Sequence, residues 1–187
     1  MIVERPLGVV PLEGRGSLPF ALVHGDSLVA AASWALRSAG VQLVDLGTPY
    51  EQVRESGRLL VVHDPLCPLT PVDFLAGAVE QCASSGAVVV GVRPVTDTVK
   101  EYDGTRVGRT HPREELMSVA SPVVLPAKVV EALDGLGLED PAAWVATLAE
   151  RFPVRFVPAP PLARRVVSVE DLEVLEVLSL SGGLASA

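Results

Sequence analysis

Two kinds of hydrophobic pattern alternate along this chain. Leu7–Pro11, Leu59–Val62 within Arg58–Asp64, and Ala87–Val92 are short, continuous, Val-rich runs. That pattern belongs to strands covered on both faces of a parallel sheet, where in–out alternation is lost. Between them, apolar residues recur at helical spacing. Asp26 is an N-cap for a helix over Ser27–Ala39 closed by Gly40, and Thr70 with Pro71 opens a helix carrying Phe74, Leu75, Ala78, Val79 and Cys82 on one face. Val41–Val44 is a second strand, and Gly47–Gly57 holds one or two helical turns.

The second half continues the alternation. Ser118–Leu125 and Val154–Val157 are strands; Pro126–Leu133 and a segment opened by Asp140-Pro141 and running to about Arg151 are helices. Ser168-Val-Glu-Asp171 is a capping box for a last helix from Val169 to about Leu180, with Ser181–Ala187 frayed beyond it. The pattern predicts one α/β domain over 1–187, built on a doubly wound, mainly parallel sheet. Ligands in such folds bind at the C-terminal ends of the strands. Two of those ends carry chemistry: the loop after Val10, with Gly14 and Gly16, and the pair His63-Asp64.

One segment breaks the pattern. From Asp97 to Thr110 the chain is polar, and Asp103-Gly104 suits a two-residue hairpin turn. A lone hairpin with so little apolar surface is marginal in water, so this arm, at about 96–112, is expected to rest on a second subunit.

Composition narrows the partners. Hydrophobic residues make up 49% and charged residues 20%, as in ordinary globular proteins, while aromatics at 4% leave the core to Val, Leu and Ala. The formal charge is −8, with no basic cluster beyond Arg164–Arg165, which argues against nucleic acid. No apolar run approaches the roughly 18–20 residues of a membrane span. Met1–Pro6 has no signal-peptide apolar core, so the cytosol is the expected compartment. Cys67 and Cys82 have no partner spacing for zinc or a disulfide framework.

Four stretches, in order, resemble the 2-C-methyl-D-erythritol 4-phosphate cytidylyltransferases. Val62-His-Asp-Pro-Leu-Cys-Pro68 resembles that family's V-H-D-A-A-R-P, and Pro94-Val-Thr-Asp-Thr-Val-Lys100 its P-V-x-D-T-x-K. Thr110-His-Pro-Arg113 followed by Ser121-Pro122 is similar to T-x-x-R followed by T-P, and Val167-Ser-Val-Glu-Asp-Leu172 to V-T-x-P-E-D-L. Val9-Val-Pro-Leu-Glu-Gly-Arg-Gly16 resembles P-A-A-G-x-G more loosely.

The resemblance implies a nucleotide-diphospho-sugar transferase-like domain with a hairpin arm that reaches across a homodimer. It implies transfer of CMP from CTP, with Mg²⁺, to a sugar-alcohol phosphate. It also assigns residues. Pro11, Gly14 and Gly16 would meet the nucleotide, Asp64 the nucleotide and the metal, Arg15 and Arg165 would be catalytic cations, and Thr98, Arg113 and Ser121 would bind the substrate phosphate. Read without the resemblance, the glycines are turn residues, Asp64 and His63 close a strand end, Arg113 pairs with Glu114 or Glu115, and Asp97 and Lys100 are surface charges.

The departures are as informative. Ser17 and Leu18 follow the second glycine, and Phe20 follows Pro19, where the family has basic residues; Glu13 adds a negative charge. Cys67 stands at the family's arginine and Leu162 at its late acidic position. The family's base-binding segment between Ala39 and Arg58 has no equivalent, since Leu46-Gly-Thr-Pro-Tyr50 lacks its pattern. The expectation is therefore a site short of cations, belonging either to a transferase of impaired or altered activity or to an inactive homologue acting as a binding or regulatory subunit. A third reading limits the likeness to the fold.

Overall fold

The Val-rich runs become strands of one six-stranded sheet. The computed structural model describes residues 4–45, 47–96 and 98–182. In chain order the strands and helices are β1 (Leu7–Val9), β2 (Leu22–Val23), β3 (Asp26–Ser27), α1 (Leu28–Ser38), β4 (Gln42–Leu43), α2 (Tyr50–Glu55), β5 (Leu60–Val62), α3 (Val72–Ser85), β6 (Val88–Pro94), β7 (Val99–Tyr102), β8 (Val107–His111), β9 (Met117–Leu125), α4 (Ala127–Ala132), α5 (Pro141–Arg151), β10 (Val154–Pro158) and α6 (Val169–Gly182). The sheet runs β10-β6-β9-β5-β1-β4. Strand β9 is antiparallel to both neighbours, and the other pairings are parallel.

The alternation hidden in the continuous runs reappears in space. Leu60, Val62, Val88, Val90, Val92, Val123 and Leu125 face one layer, made by α4 and α5 through Val129, Val130, Trp144, Val145 and Leu148. Val61, Val89 and Val124 face the other, against Ala35 and Leu36 of α1 and Leu75, Ala78 and Cys82 of α3. Each fully buried Leu or Val contributes roughly 1.5–3 kcal/mol, so the double wrapping stabilises the sheet centre.

This topology gathers the site at one edge. Strands β1 and β5 run side by side, Val9 opposite Val62, so the loop after Val10 and the pair His63-Asp64 emerge together. Because β9 is antiparallel, its first half lies at the C-terminal ends of β5 and β6 and brings Ser121 there. A Cβ at Gly91 would sit 2.8 Å from the Ser121 carbonyl oxygen, so the approach of β6 to β9 requires glycine.

Several local expectations are corrected. Helix α1 is capped by the Ser27 hydroxyl, which accepts from the Ala30 N–H, and not by Asp26; both residues form a short ladder with Leu22–Val23, and the helix begins right after it, at Leu28, so Ser27 holds the N-cap position. Helix α3 begins one residue later than expected, with Pro71 at the N-cap; the Thr70 hydroxyl instead donates to the Cys67 carbonyl at 2.8 Å. The arm pairs Tyr102 with Val107, so its turn is four residues long, not two. The Asp103 carboxylate stabilises it by accepting from Thr105 and Arg106.

Other ends hold as expected. Asp140 caps α5, accepting from Ala142 and Ala143 at 3.1 Å each. Ser168 accepts from the Asp171 N–H at 3.2 Å and opens α6, which is one half of the expected capping box; the Asp171 carboxylate accepts from the Val167 N–H at 3.1 Å instead of from Ser168. That helix continues to Gly182, two residues past the expected end, and the rest of the expected frayed tail, 183–187, lies outside the described residues, as do Asp97 and Leu46.

Candidate functional site

Asp64 is the centre of the C-terminal edge. Its backbone N–H donates to the Ser121 hydroxyl at 3.0 Å, and the His63 N–H donates to the Val9 carbonyl at 3.0 Å, which ties the ends of β1, β5 and β9 together. The Asp64 Oδ1 accepts from the Leu66 N–H at 3.0 Å and from Arg15 Nε at 2.9 Å. Its Oδ2 accepts from the same guanidinium at 3.2 Å and from Arg165 Nε at 3.2 Å. Arg165 arrives on a strap held by the Val166 N–H donating to the Leu66 carbonyl at 2.8 Å.

Arg15 is turned inward. It lies between Gly14 (φ 73°) and Gly16 (φ 58°), whose left-handed backbone favours glycine and reverses the chain. Its side chain is only 3% exposed. Besides Asp64, the guanidinium donates to the carbonyls of Glu13 at 2.5 Å and Leu138 at 3.1 Å. The loop is therefore fastened to the segment before α5 rather than presenting a free cation.

The electrostatics follow from burial. Desolvation pushes the Asp64 carboxyl up, but the bonds from Arg15 and Leu66 and the charges of Arg15 and Arg165 outweigh it and hold Asp64 below the ordinary carboxylate range. Burial drives His63 down to about 4 against the opposing charge of Asp64, so its ring is neutral at pH 7. Its Nδ1 shares a 2.5 Å bond with the Ser121 hydroxyl, while its Nε2 is buried without a partner among the described residues. Burial, reinforced by Asp64, pushes the Cys67 thiol far up, and burial alone pushes Cys82 up to about 12, so neither is a thiolate at neutral pH.

Two clefts flank this network. One, of about 610 Å³, lies past the ends of β1 and β4 and is lined by Pro11, Glu13, Arg37, Asp45 and Tyr50 among apolar residues. The other, of about 800 Å³, lies past β6 and the start of β9 and is lined by Arg93, Thr96, Ser118, Glu139, Arg164 and Arg165. A void of about 20 Å³ lined by Arg15, Asp64, Ser121 and Arg165 sits between them. It shares Leu138 with the first cleft and Val119, Pro141 and Arg165 with the second.

The structure thus brings together Arg15, Asp64, Ser121 and Arg165, with Pro11 in the first cleft and Gly14 and Gly16 on the covering loop. Thr98 and Arg113 stay apart from them on the exposed arm. Arg113 donates to the Thr96 carbonyl at 2.9 Å and pairs with Glu114 at 3.6 Å. Leu162 packs with the apolar cluster of Val23, Leu28, Leu172 and Leu175. Arg93 and Arg164 escaped the sequence reading as site residues, and with them the second cleft is richer in cations than expected. The available signal was a charge ending the otherwise apolar run of β6.

No protein-family model matches the chain. It is 33% identical over 186 residues to the 2-C-methyl-D-erythritol 4-phosphate cytidylyltransferase of Rhodococcus jostii strain RHA1, covering 96% of this chain and 77% of the relative. It is 32% identical over 156 residues to the bifunctional enzyme IspD/IspF of Solidesulfovibrio magneticus, covering 81% of this chain but only 37% of that longer protein. Among solved structures, the 2-C-methyl-D-erythritol 4-phosphate cytidylyltransferase of Thermus thermophilus superposes with a TM-score of 0.66 at 23% identity, covering 94% of this chain and 98% of the other.

Proposed function

Since the chain belongs to the 2-C-methyl-D-erythritol 4-phosphate cytidylyltransferase family, we propose that it transfers CMP from CTP to a sugar-alcohol phosphate, with activity impaired or altered at the nucleotide side. The observation that carries this reading is the pair of clefts meeting at the Arg15–Asp64–Arg165 network. A two-substrate transfer needs such a junction. A phosphate oxygen of the acceptor attacks the α-phosphorus of CTP; that P–O bond forms as the bond to the β-phosphate oxygen breaks, and pyrophosphate leaves with the electron pair.

In this reading the first cleft takes the nucleoside, with Pro11 in its wall, and the backbone N–H groups at Gly14 and Gly16 meet phosphate oxygens. Arg165, about one-third exposed at the junction, stabilises charge on the transferring group with the donors that Asp64 leaves free. Arg15 can do so only after leaving its four internal bonds, which is the source of the impairment. Ser121 acts by holding His63 and Asp64 in place, and Thr98 and Arg113 serve the acceptor from the arm of a homodimer in the cytosol. Magnesium would supply charge neutralisation at the phosphates. Asp64 does not fit that ion as arranged: both oxygens accept from guanidinium groups, and no group of three or more acidic, His or Cys side chains among the described residues is placed to hold a metal.

The test is pyrophosphate release from CTP and 2-C-methyl-D-erythritol 4-phosphate, with other nucleoside triphosphates in parallel. Release that requires the acceptor is the expected result; none above background from purified protein would sink the transfer. Failure would favour the second reading, a binding or regulatory subunit, for which the locked Arg15 speaks directly.

A further inference from the structure

We propose that Arg93, seconded by Arg164, is a phosphate-binding residue of the second cleft, and that it anchors the acceptor from within its own subunit. The inference rests on the reading that this cleft takes a phosphorylated sugar alcohol.

Three observations carry it. Arg93 is the penultimate residue of β6, and its backbone carbonyl accepts from the Ser118 hydroxyl at 3.2 Å across to β9. Its guanidinium donates through Nη1 to the Ala159 carbonyl at 3.1 Å, which aims the half-buried side chain along the cleft wall. No carboxylate lies within ion-pair distance of it among the described residues, whereas Arg165 is held by Asp64 and Arg164 by Asp171. A planar guanidinium with donors to spare suits a phosphate monoester, which it can grip through two parallel bonds.

Arg113 is placed otherwise. Its side chain is 56% exposed and pairs with Glu114, and it does not line the cleft in its own subunit. The same cleft is also lined by Glu139 and Asp140. Carboxylates repel phosphate and accept from hydroxyls, so they orient the ligand with its phosphate toward Arg93 and its hydroxyls toward Glu139.

The test is calorimetric titration with 2-C-methyl-D-erythritol 4-phosphate, without nucleotide, against the wild type and the variants R93A, R93Q, R93K and R113A. Binding is expected to weaken roughly tenfold or more in R93A and R93Q, to recover in part in R93K, and to weaken less in R113A than in R93Q. Thermal melting accompanies each variant, because Arg93 also holds Ala159; if R93A does not fold, R93Q against R93K carries the comparison. Wild-type affinity in R93Q, a larger loss in R113A than in R93Q, or no binding by the wild type overturns the proposal. Phosphate binding through Arg93 without pyrophosphate release overturns the transferase reading alone. Turnover with an unchanged acceptor KM in R93Q overturns this proposal alone.

Discussion

The two clefts differ most in the sign of their walls. The one beyond β1 and β4 carries the carboxylates of Glu13 and Asp45 against one arginine, Arg37. The one beyond β6 carries Arg93, Arg164 and Arg165 against Glu139 and Asp140. In the proposed reading the triphosphate, the more heavily charged substrate, meets the less basic side of the site. Positive charge is gathered in the second cleft and, at the junction, turned inward onto Asp64. On that reading the site is best equipped where one phosphate must be held and least where three must.

The junction is the place to break this comparison with the largest effect. Asp64→Ala leaves Arg15 buried and Arg165 half-buried without their shared carboxylate, and removing one partner of a buried ion pair costs about 3–5 kcal/mol. Urea denaturation should show a loss of that size, with the arginines freed from one another; an unchanged midpoint would mean that the network is not structural. Asp64 also sets an acid limit. Its folded pKa lies below the unfolded value of about 3.9, so its contribution is present above that value and is lost as pH falls through the depressed one.

His63 sharpens the same point in a separate pH window. Its folded pKa of about 4 lies below the unfolded value of about 6.5, so the buried neutral ring contributes fully above pH 6.5 and its contribution is lost as pH falls toward 4. The loss approaches roughly 3 kcal/mol across that window. His63→Gln should flatten denaturation midpoints between pH 6.5 and 4 while leaving the steeper acid loss below it. If the wild-type midpoint does not move over that interval, the ring is not held neutral by burial.

The arm supplies a smaller effect, and it bears on whether Arg113 reaches a site at all. Tyr102 and Val107 are 70% and 65% exposed and face each other in the hairpin register. If the arm seats on a second copy, Tyr102→Ala should raise the dimer dissociation constant roughly tenfold, as loss of an interface aromatic does. Sedimentation at several concentrations reads this directly. A monomer at all concentrations would leave Arg113 without an acceptor to bind.

The scaffold of this site was largely legible before the structure. Val88–Val92 could hardly be anything but a strand, because both faces of a mainly parallel sheet are covered, and Asp140-Pro141 announces a helix by a cap and a preset φ. Ambiguity appeared where two capping residues adjoin, as at Asp26 and Ser27, and where the one-residue difference in helix start decides which of them caps. Motifs single out Asp64 and Arg165, and the fold brings these two side chains together. They do not give the direction of Arg15, since its partners Asp64 and Leu138 lie far along the chain and nothing local encodes them. Arg93 was missed because a charge at the end of a strand reads as the place where burial stops, not as the wall of a cleft.

The smallest expected effect addresses the acidic wall itself. Glu13 is exposed at the mouth of the first cleft, next to Gly14, and its backbone carbonyl is one of the groups that hold Arg15 inward. Replacing its carboxylate by an amide leaves that carbonyl in place and removes only the charge. One unit charge a few ångströms from a phosphate in water contributes about 1 kcal/mol, so Glu13→Gln should tighten CTP binding roughly fivefold. The gain should shrink as salt is raised toward 1 M, where the screening length falls to about 3 Å. Fluorescence or calorimetric titration at low and high salt distinguishes this from a change of shape. A gain that ignores salt would locate the defect in the covering loop, and no gain at all would mean that the inward turn of Arg15, not the acidic wall, keeps the triphosphate out.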